Sequence, residues 1–324
     1  MKKKKRKLKS VFKLFKLSVE EFFADNCLKF SASLSYSTIF ALPSLAILII
    51  STVGIFYDQK AVSNELFEQI SSVFGEKVTE QIRQAINNIN VDGSSRIGQW
   101  VGIATLIFSG SAVFAEIQSS INYIWELKAK PKKGIIRILL NRLLSFAMIG
   151  ALGFVLLVSL LVNTLIELLY NQLSILFSEN TMYIASLLNT VIVFLIVSVI
   201  FGFIFRTLPD GKLRWKETMI GASFTSILFM IGKFVIANFL INTTKLDVYG
   251  AAGSILLILV WVYYSAIILY FGAVFTKNYS ELYGRPIEPN DYSVRVIFEE
   301  KEVQFAKQEH EIIKKLENEK PADT

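Results

Sequence analysis

The chain has 324 residues, 53% apolar and 19% charged, with a formal net charge of +7. Mean hydropathy is +0.48; several charge-poor runs of about 20 residues exclude an ordinary soluble domain and leave helices in lipid. A single Cys27 excludes an intrachain disulfide framework, and a single His310 stands in the polar tail, so neither points to a catalytic centre.

The first segment, residues 1–29, is a basic arm opening MKKKKRKLKSVFKLFK. Its Leu8, Val11, Phe12, Phe15 and Val19 recur at helical spacing, which predicts an interfacial helix on anionic lipid. The same charge invites a nucleic-acid reading, but the apolar stripe is explained more simply by lipid. No nucleic-acid partner is expected.

Six membrane spans follow, at about 34–56, 99–123, 139–165, 183–205, 218–240 and 251–275. The lysine-rich chain before the first span, and Pro43 inside it, describe a retained and kinked helix rather than a cleaved signal. Between spans one and two, residues 57–96 place Leu66, Ile70, Val73, Phe74, Val78, Ile82, Ile86 and Ile89 near one helical face. This predicts an amphipathic helical hairpin broken near Gly75, lying as a cap over the bundle or the membrane surface. Residues 281–324 form a charged tail with a helix-compatible run, VIFEEKEVQFAKQEHEIIKKLENEK.

Charge sets the orientation. The arm, the segment with Lys128, Lys130, Lys132, Lys133 and Arg137, and the segment with Arg206, Lys212, Arg214 and Lys216 are basic; residues 166–182 hold Glu167 and Glu179 without Lys or Arg. The positive-inside rule therefore puts both termini in the cytoplasm. The fold class is an all-α polytopic membrane protein: a six-helix membrane domain over 30–280 with an amphipathic helical outer loop.

Polar residues inside spans are the best site clues, because charge in hydrocarbon is expensive without a partner, a polar cavity or headgroups. Glu116 lies in span two, where Glu116, Ser119 and Asn122 at i, i+3, i+6 form one stripe, and Lys233 lies near the middle of span five. A Glu116 and Lys233 pair, a substrate or ion pathway, and a lipid-headgroup site are the three readings. The glycines at 98, 102, 110, 150, 153, 250 and 253 allow close helix packing. There is no HExxH, Walker A loop, Rossmann fingerprint or GxSxG elbow. No enzyme activity and no cofactor are expected.

Four segments in order carry a family resemblance: FSASLSYSTIFALPSLAILII at Phe30–Ile50, INYIWELK at Ile121–Lys128, LPDGKLRWKETMIGASFTSILFMIGKF at Leu208–Phe234, and YGAAGSILLILVWVYYSAIILYFGAVF at Tyr249–Phe275. Together, over about residues 10–280, they resemble the YihY/BrkB family of bacterial inner-membrane proteins. Tyr36 and Pro43 match its first-span pattern, Asn122 and Trp125 its motif after the second span, and Pro209 and Trp215 its cytoplasmic loop. Tyr249, Gly250, Gly253, Trp261, Tyr264, Gly272 and Ala273 match its final span. Relatives commonly carry Gly where this chain has Glu126, and Glu where it has Val274. The resemblance implies an inner-membrane protein of undefined molecular activity, with an association with serum resistance and an old ribonuclease BN label that is a misassignment. The expected function is transport of a small solute, ion or lipid, or an envelope role; the alternative is a scaffold or lipid-interacting protein. Membrane lipids, through anionic headgroups at the basic surface, and a homo-oligomer are the expected partners.

Overall fold

The computed structural model describes residues 2–53, 58–74, 76–88, 96–130, 180–241 and 250–296. The helices are α1 (Lys2–Ala24), α2 (Cys27–Val53), α3 (Gln59–Phe74), α4 (Glu76–Asn88), α5 (Arg96–Ile124), α6 (Asn180–Thr207), α7 (Trp215–Ile241) and α8 (Gly250–Tyr283). Four short strands accompany them: β1 (Leu127–Ala129), β2 (Gly211–Lys212), β3 (Glu288–Pro289) and β4 (Ser293–Arg295).

Among the described residues, four helical segments are long and apolar enough to cross a membrane: Cys27–Ile50, Thr190–Thr207, Trp215–Val235 and Ile258–Tyr283. They coincide with expected spans one, four, five and six. The first starts at Cys27 rather than near 34, because its serine-rich opening is absorbed into the helix: Ser31 Oγ donates back to the Cys27 carbonyl at 2.9 Å, and the Ser35 hydroxyl reaches the Leu259 carbonyl at 2.8 Å. Pro43 sits inside α2 without ending it. Expected span two coincides with α5, and span three, 139–165, lies outside the described residues.

The long helices form a row in the order α5, α2, α8, α7, α6, with α1 laid along α8. Between α1 and α2 the chain turns at Asn26, whose φ of 54° is left-handed; asparagine tolerates this better than most residues. The α3–α4 hairpin begins at Asp58, whose carboxylate caps α3 by accepting the Ala61 N–H at 2.9 Å. Ser71 donates to Glu76 at 2.7 Å across the hairpin. Of the face expected there, Leu66 and Ile82 are buried and Ile70 and Ile86 pack beside them; Phe67 joins them with Ile258 of α8 and with Ile39 and Leu42 of α2. Ile39 and Leu42 lie about halfway along α2, so the hairpin reaches further down the bundle than a cap across its end. Its apolar stripe is used against helix surfaces.

The α7–α8 contact shows how helices approach in lipid, where apolar burial gives little preference for protein over hydrocarbon. Gly221 of α7 faces Thr276 of α8, and Gly272 of α8 faces Thr225 of α7; a Cβ on either glycine would overlap the threonine side chain. The pairs are reciprocal because the helices are antiparallel, and Gly232 receives Tyr264 further along. Each threonine hydroxyl is satisfied within its own helix, Thr225 on the Gly221 carbonyl at 2.8 Å and Thr276 on the Gly272 carbonyl at 2.6 Å. Neither therefore leaves a bare polar group at the seam.

Gly221→Ala and Gly272→Ala are each expected to cost about 1–3 kcal/mol by overpacking, read as a lower unfolding temperature in lipid nanodiscs. Adding Thr276→Ala to Gly221→Ala should recover part of that loss; no coupling between the two would refute the interlock.

Candidate functional site

The polar groups gather where α1, α5 and α8 end and where α7 begins. Asn122 stands in the last turn of α5, with Gln118 one turn earlier on the same side. Both reach Asp210, which is only 1% exposed. Gln118 Nε2 donates to Asp210 Oδ1 at 3.0 Å, and Asn122 Nδ2 donates to Asp210 Oδ2 at 2.9 Å. The Asp210 N–H returns a bond to Asn122 Oδ1 at 2.8 Å. Its carbonyl accepts from Ser293 Oγ at 2.6 Å and from the Asn290 N–H at 3.0 Å. One residue thus ties α5, the α6–α7 connection and the segment after α8.

That segment is a strap. Beyond Tyr283 the chain folds back so that β3 pairs with β2 and β4 with β1, both antiparallel, with Gly211 opposite Pro289 and Leu127 opposite Arg295. Gly211 permits the approach: a Cβ there would meet Leu127 and Ile287 at under 3 Å, at 2.8 and 2.9 Å. Trp125, almost fully buried, donates its indole N–H to the Ala273 carbonyl at 3.0 Å. It anchors the end of α5 to α8.

Beside this latch lies an ion cluster. Lys277 of α8 is buried, its ammonium 3.0 Å from Glu126 and 3.9 Å from Glu21. Arg295 on the strap completes the arrangement, 3.1 Å from Glu126 and 2.6 Å from Glu281. Glu126 ends α5 with a φ of 57°, a left-handed conformation in which an L side chain costs of order 1 kcal/mol more than glycine. Two charge-assisted bonds offset that cost: Lys277 to Oε1 at 3.0 Å and Arg295 Nε to Oε2 at 3.1 Å. Burial pushes the Glu126 carboxyl up, but the bonds from Lys277 and Arg295 outweigh it and hold it below the usual carboxylate range. Burial raises the Glu21 and Asp25 carboxyls above theirs, with Lys277 pulling the other way.

Further ionisable groups of α2, α8 and α5 lie near this cluster. Cys27, fully buried, is in the electrostatic reach of Asp25 and Lys277. Tyr270, also fully buried, is in that of Cys27 and Glu116 and lies beside Ser120. Glu116 is half-buried. Lys233 is elsewhere: it is exposed on α7, about 27 Å beyond Trp215, whereas Glu116 is about 12 Å from the end of α5 at Ile124. Those different depths separate the two charges.

The remaining expected positions divide between packing and surface. Trp261 is buried, its ring centroid 6.5 Å from that of Phe229; Tyr264 fills the space at Gly232. Pro209 is buried in the bend before β2, and Pro43 is half-buried. Tyr36 is exposed on α2 against Phe40. Trp215 is exposed at the start of α7, with the Arg206 guanidinium 5.4 Å over its ring. Gly250 and Gly253 lie in the first turns of α8, and Tyr249 lies outside the described residues. The sequence reading missed Asp210 because Pro-Asp-Gly reads as a turn, and Lys277 because a lysine at the end of a span reads as an interfacial charge. Among the described residues, no group of three or more His, Cys, Asp or Glu is placed to hold a metal ion.

The family model for virulence factor BrkB matches residues 18–293, from within α1 to the first residue of β4. The chain belongs to the BrkB family. It is 26% identical over 269 residues to a UPF0761 membrane protein of Haemophilus influenzae (strain 86-028NP), covering 82% of this chain and 94% of that one. It is 24% identical over 263 residues to a UPF0761 membrane protein of Saccharophagus degradans, and 25% identical over 265 residues to one of Pseudomonas paraeruginosa. These matches cover 81% and 80% of this chain but 58% and 61% of those two relatives, so the chain spans well under two thirds of their length. No solved structure matches the chain. The BrkB match contains Asn122, Trp125, Asp210 and Lys277, and Arg295 lies just beyond it.

Asn122→Ala is expected to cost on the order of 3 kcal/mol, since it removes two bonds to Asp210 and leaves a buried carboxylate short of a donor; thermal unfolding in nanodiscs measures it. Glu126 stabilises the fold above the ordinary carboxylate range, and its contribution falls away as pH drops through its depressed value. Glu126→Gln should therefore lower the unfolding temperature at neutral pH and converge with the parent protein on acidification.

Proposed function

We propose that this BrkB family protein is a bacterial inner-membrane transporter of a small ion or solute, with both termini in the cytoplasm. The observation that supports it is the run of buried and half-buried ionisable groups around α8, from Lys277 and its carboxylates through Cys27 and Tyr270 to Glu116. A lysine inside a membrane helix is expensive to bury, and a structural role alone calls for one partner. Here carboxylates from α1 and the end of α5 surround the lysine of α8, and further ionisable groups of α2, α8 and α5 lie near it, an arrangement suited to receiving and passing charge. The basic arm and the loops bearing Lys128, Lys130, Lys212 and Arg214 sit at the same end of the bundle as Lys277, and the positive-inside rule assigns that end to the cytoplasm.

A second reading, a lipid-interacting scaffold, draws on α1. Its buried Leu14, Ser18 and Phe22 face the bundle, Phe15 and Phe22 pack on Phe271 of α8, and Phe12 and Phe23 are exposed. Exposed phenylalanines beside a lysine-rich turn suit an interface with anionic lipid. Such contact is compatible with transport and accounts for α1 without accounting for Lys277.

The test is flux in proteoliposomes carrying a membrane potential or a pH gradient, with internal pH and internal cation concentration read by fluorescence. Transport predicts flux above empty liposomes and at least a tenfold loss in Lys277→Met that still elutes and melts as a folded protein. Absence of flux under every gradient, together with selective retention of anionic lipid, would favour the scaffold.

A further inference from the structure

Around Lys277 three buried oxygen atoms have no hydrogen-bond partner: Glu21 Oε2, Asp25 Oδ2 and Asn278 Oδ1. Asn278 is only 1% exposed. Its amide nitrogen is directed to Ser18 Oγ at 3.4 Å, and its side chain interacts with the Glu21 carboxyl. All three atoms are acceptors, so the shortage is of donors, and an unsatisfied buried polar atom carries a desolvation cost.

We propose that Glu21, Asp25 and Asn278 form a proton-binding site, loaded from the aqueous phase at this end of the bundle. On loading, a proton from the aqueous phase bonds to a bare carboxylate oxygen, and the carboxylate loses its negative charge and gains an O–H. One event neutralises a partly buried charge and adds a donor among the bare acceptors. A metal ion fits less well, because the Lys277 ammonium already stands 3.9 Å from Glu21 and no set of three or more metal-ligating side chains occurs among the described residues.

Burial favours the loaded form of both carboxyls, and Lys277, the strongest neighbouring charge on each, opposes it. From α8, Lys277 draws Glu21 toward ionisation while Glu281 opposes it; from the end of α5, Glu126 opposes ionisation of Asp25. Arg295 on the strap is engaged by Glu126 and Glu281, and Cys27 of α2 adds no positive charge. Four carboxylates, Glu21, Asp25, Glu126 and Glu281, thus face two cations, Lys277 and Arg295. Burial holds the Glu21 and Asp25 carboxyls above their ordinary range against the pull of Lys277, with Glu281 adding to it at Glu21 and Glu126 at Asp25. The sign follows: the pair stabilises the fold with its proton bound, and that contribution is lost as pH rises through the raised values.

As the site of a coupling proton the assignment rests on the transport reading; as a protonation site it stands without it. The experiment is infrared difference spectroscopy of the full chain in nanodiscs, following the carboxylic C=O band through a pH titration. The expected result is a band that persists above the ordinary carboxylate range, is lost or reduced in Glu21→Gln and Asp25→Asn, and titrates at lower pH in Glu281→Gln. That last change lies at the exposed rim, so the shift can be read even where a buried substitution prevents folding. A band titrating wholly in the ordinary range, one that survives both the Glu21 and the Asp25 substitution, or a midpoint unmoved by Glu281→Gln would overturn the site. Flux is measured separately: a raised band without flux upholds the proton site and removes only its coupling role.

Discussion

Asp210 is the residue on which the polar end of this protein depends. A carboxylate that is 1% exposed needs compensation for its lost hydration, and it receives it from two amide side chains of α5 while its own backbone binds Asn122 and the strap. The two strand pairs that flank it are only two and three residues long. Such short ladders hold little by themselves, and the bonds to Asp210 and the indole of Trp125 keep them in register. Lys277, Glu126 and Arg295 come together because α5, α8 and the strap are already fixed at that point.

Elsewhere the bundle is held by the means lipid allows. Apolar faces left outward on α6, α7 and α8, such as Val191, Leu195, Val199, Ile227, Ile231 and Val260, match the hydrocarbon and give no preference for one neighbour over another. Selectivity comes from shape. Two glycines and two threonines interlock α7 with α8, and their hydroxyls are returned to their own helices. The same economy appears at Asn26 and Glu126, where left-handed residues turn the chain sharply. At Glu126 the side chain adds an ionic role that glycine would not have.

The chemistry of the polar end is a surplus of buried acceptors around one ammonium. Glu126 is fully engaged by Lys277 and Arg295, whereas Glu21 and Asp25 retain bare oxygens. The cluster is therefore part fixed structure and part unsatisfied. The unsatisfied part lies where α1 meets α8, the contact between the basic arm and the membrane helix that carries Tyr270 and Trp261.

The sequence by itself determined that this is a helical membrane protein of the BrkB family, and it placed spans one, four, five and six. Length and freedom from charge are local properties, and lipid enforces them segment by segment. It also marked Asn122, Trp125 and Gly272 through motif resemblance, without saying what they touch. Only the tertiary structure decided the rest. Lys233 and Glu116 looked alike as charges in spans, yet their depths separate them, and depth follows from where each helix begins. Asp210 reads as a turn residue, Glu126 as a departure from a glycine, Glu21 and Asp25 as part of an interfacial basic arm, and Lys277 as an interfacial lysine. Their roles arise from partners far away in the chain: 88 residues for Asp210 and Asn122, 151 for Lys277 and Glu126, and 260 for Asn278 and Ser18. A one-dimensional pattern carries the period of a helix and the sign of a charge, but not which helix ends meet.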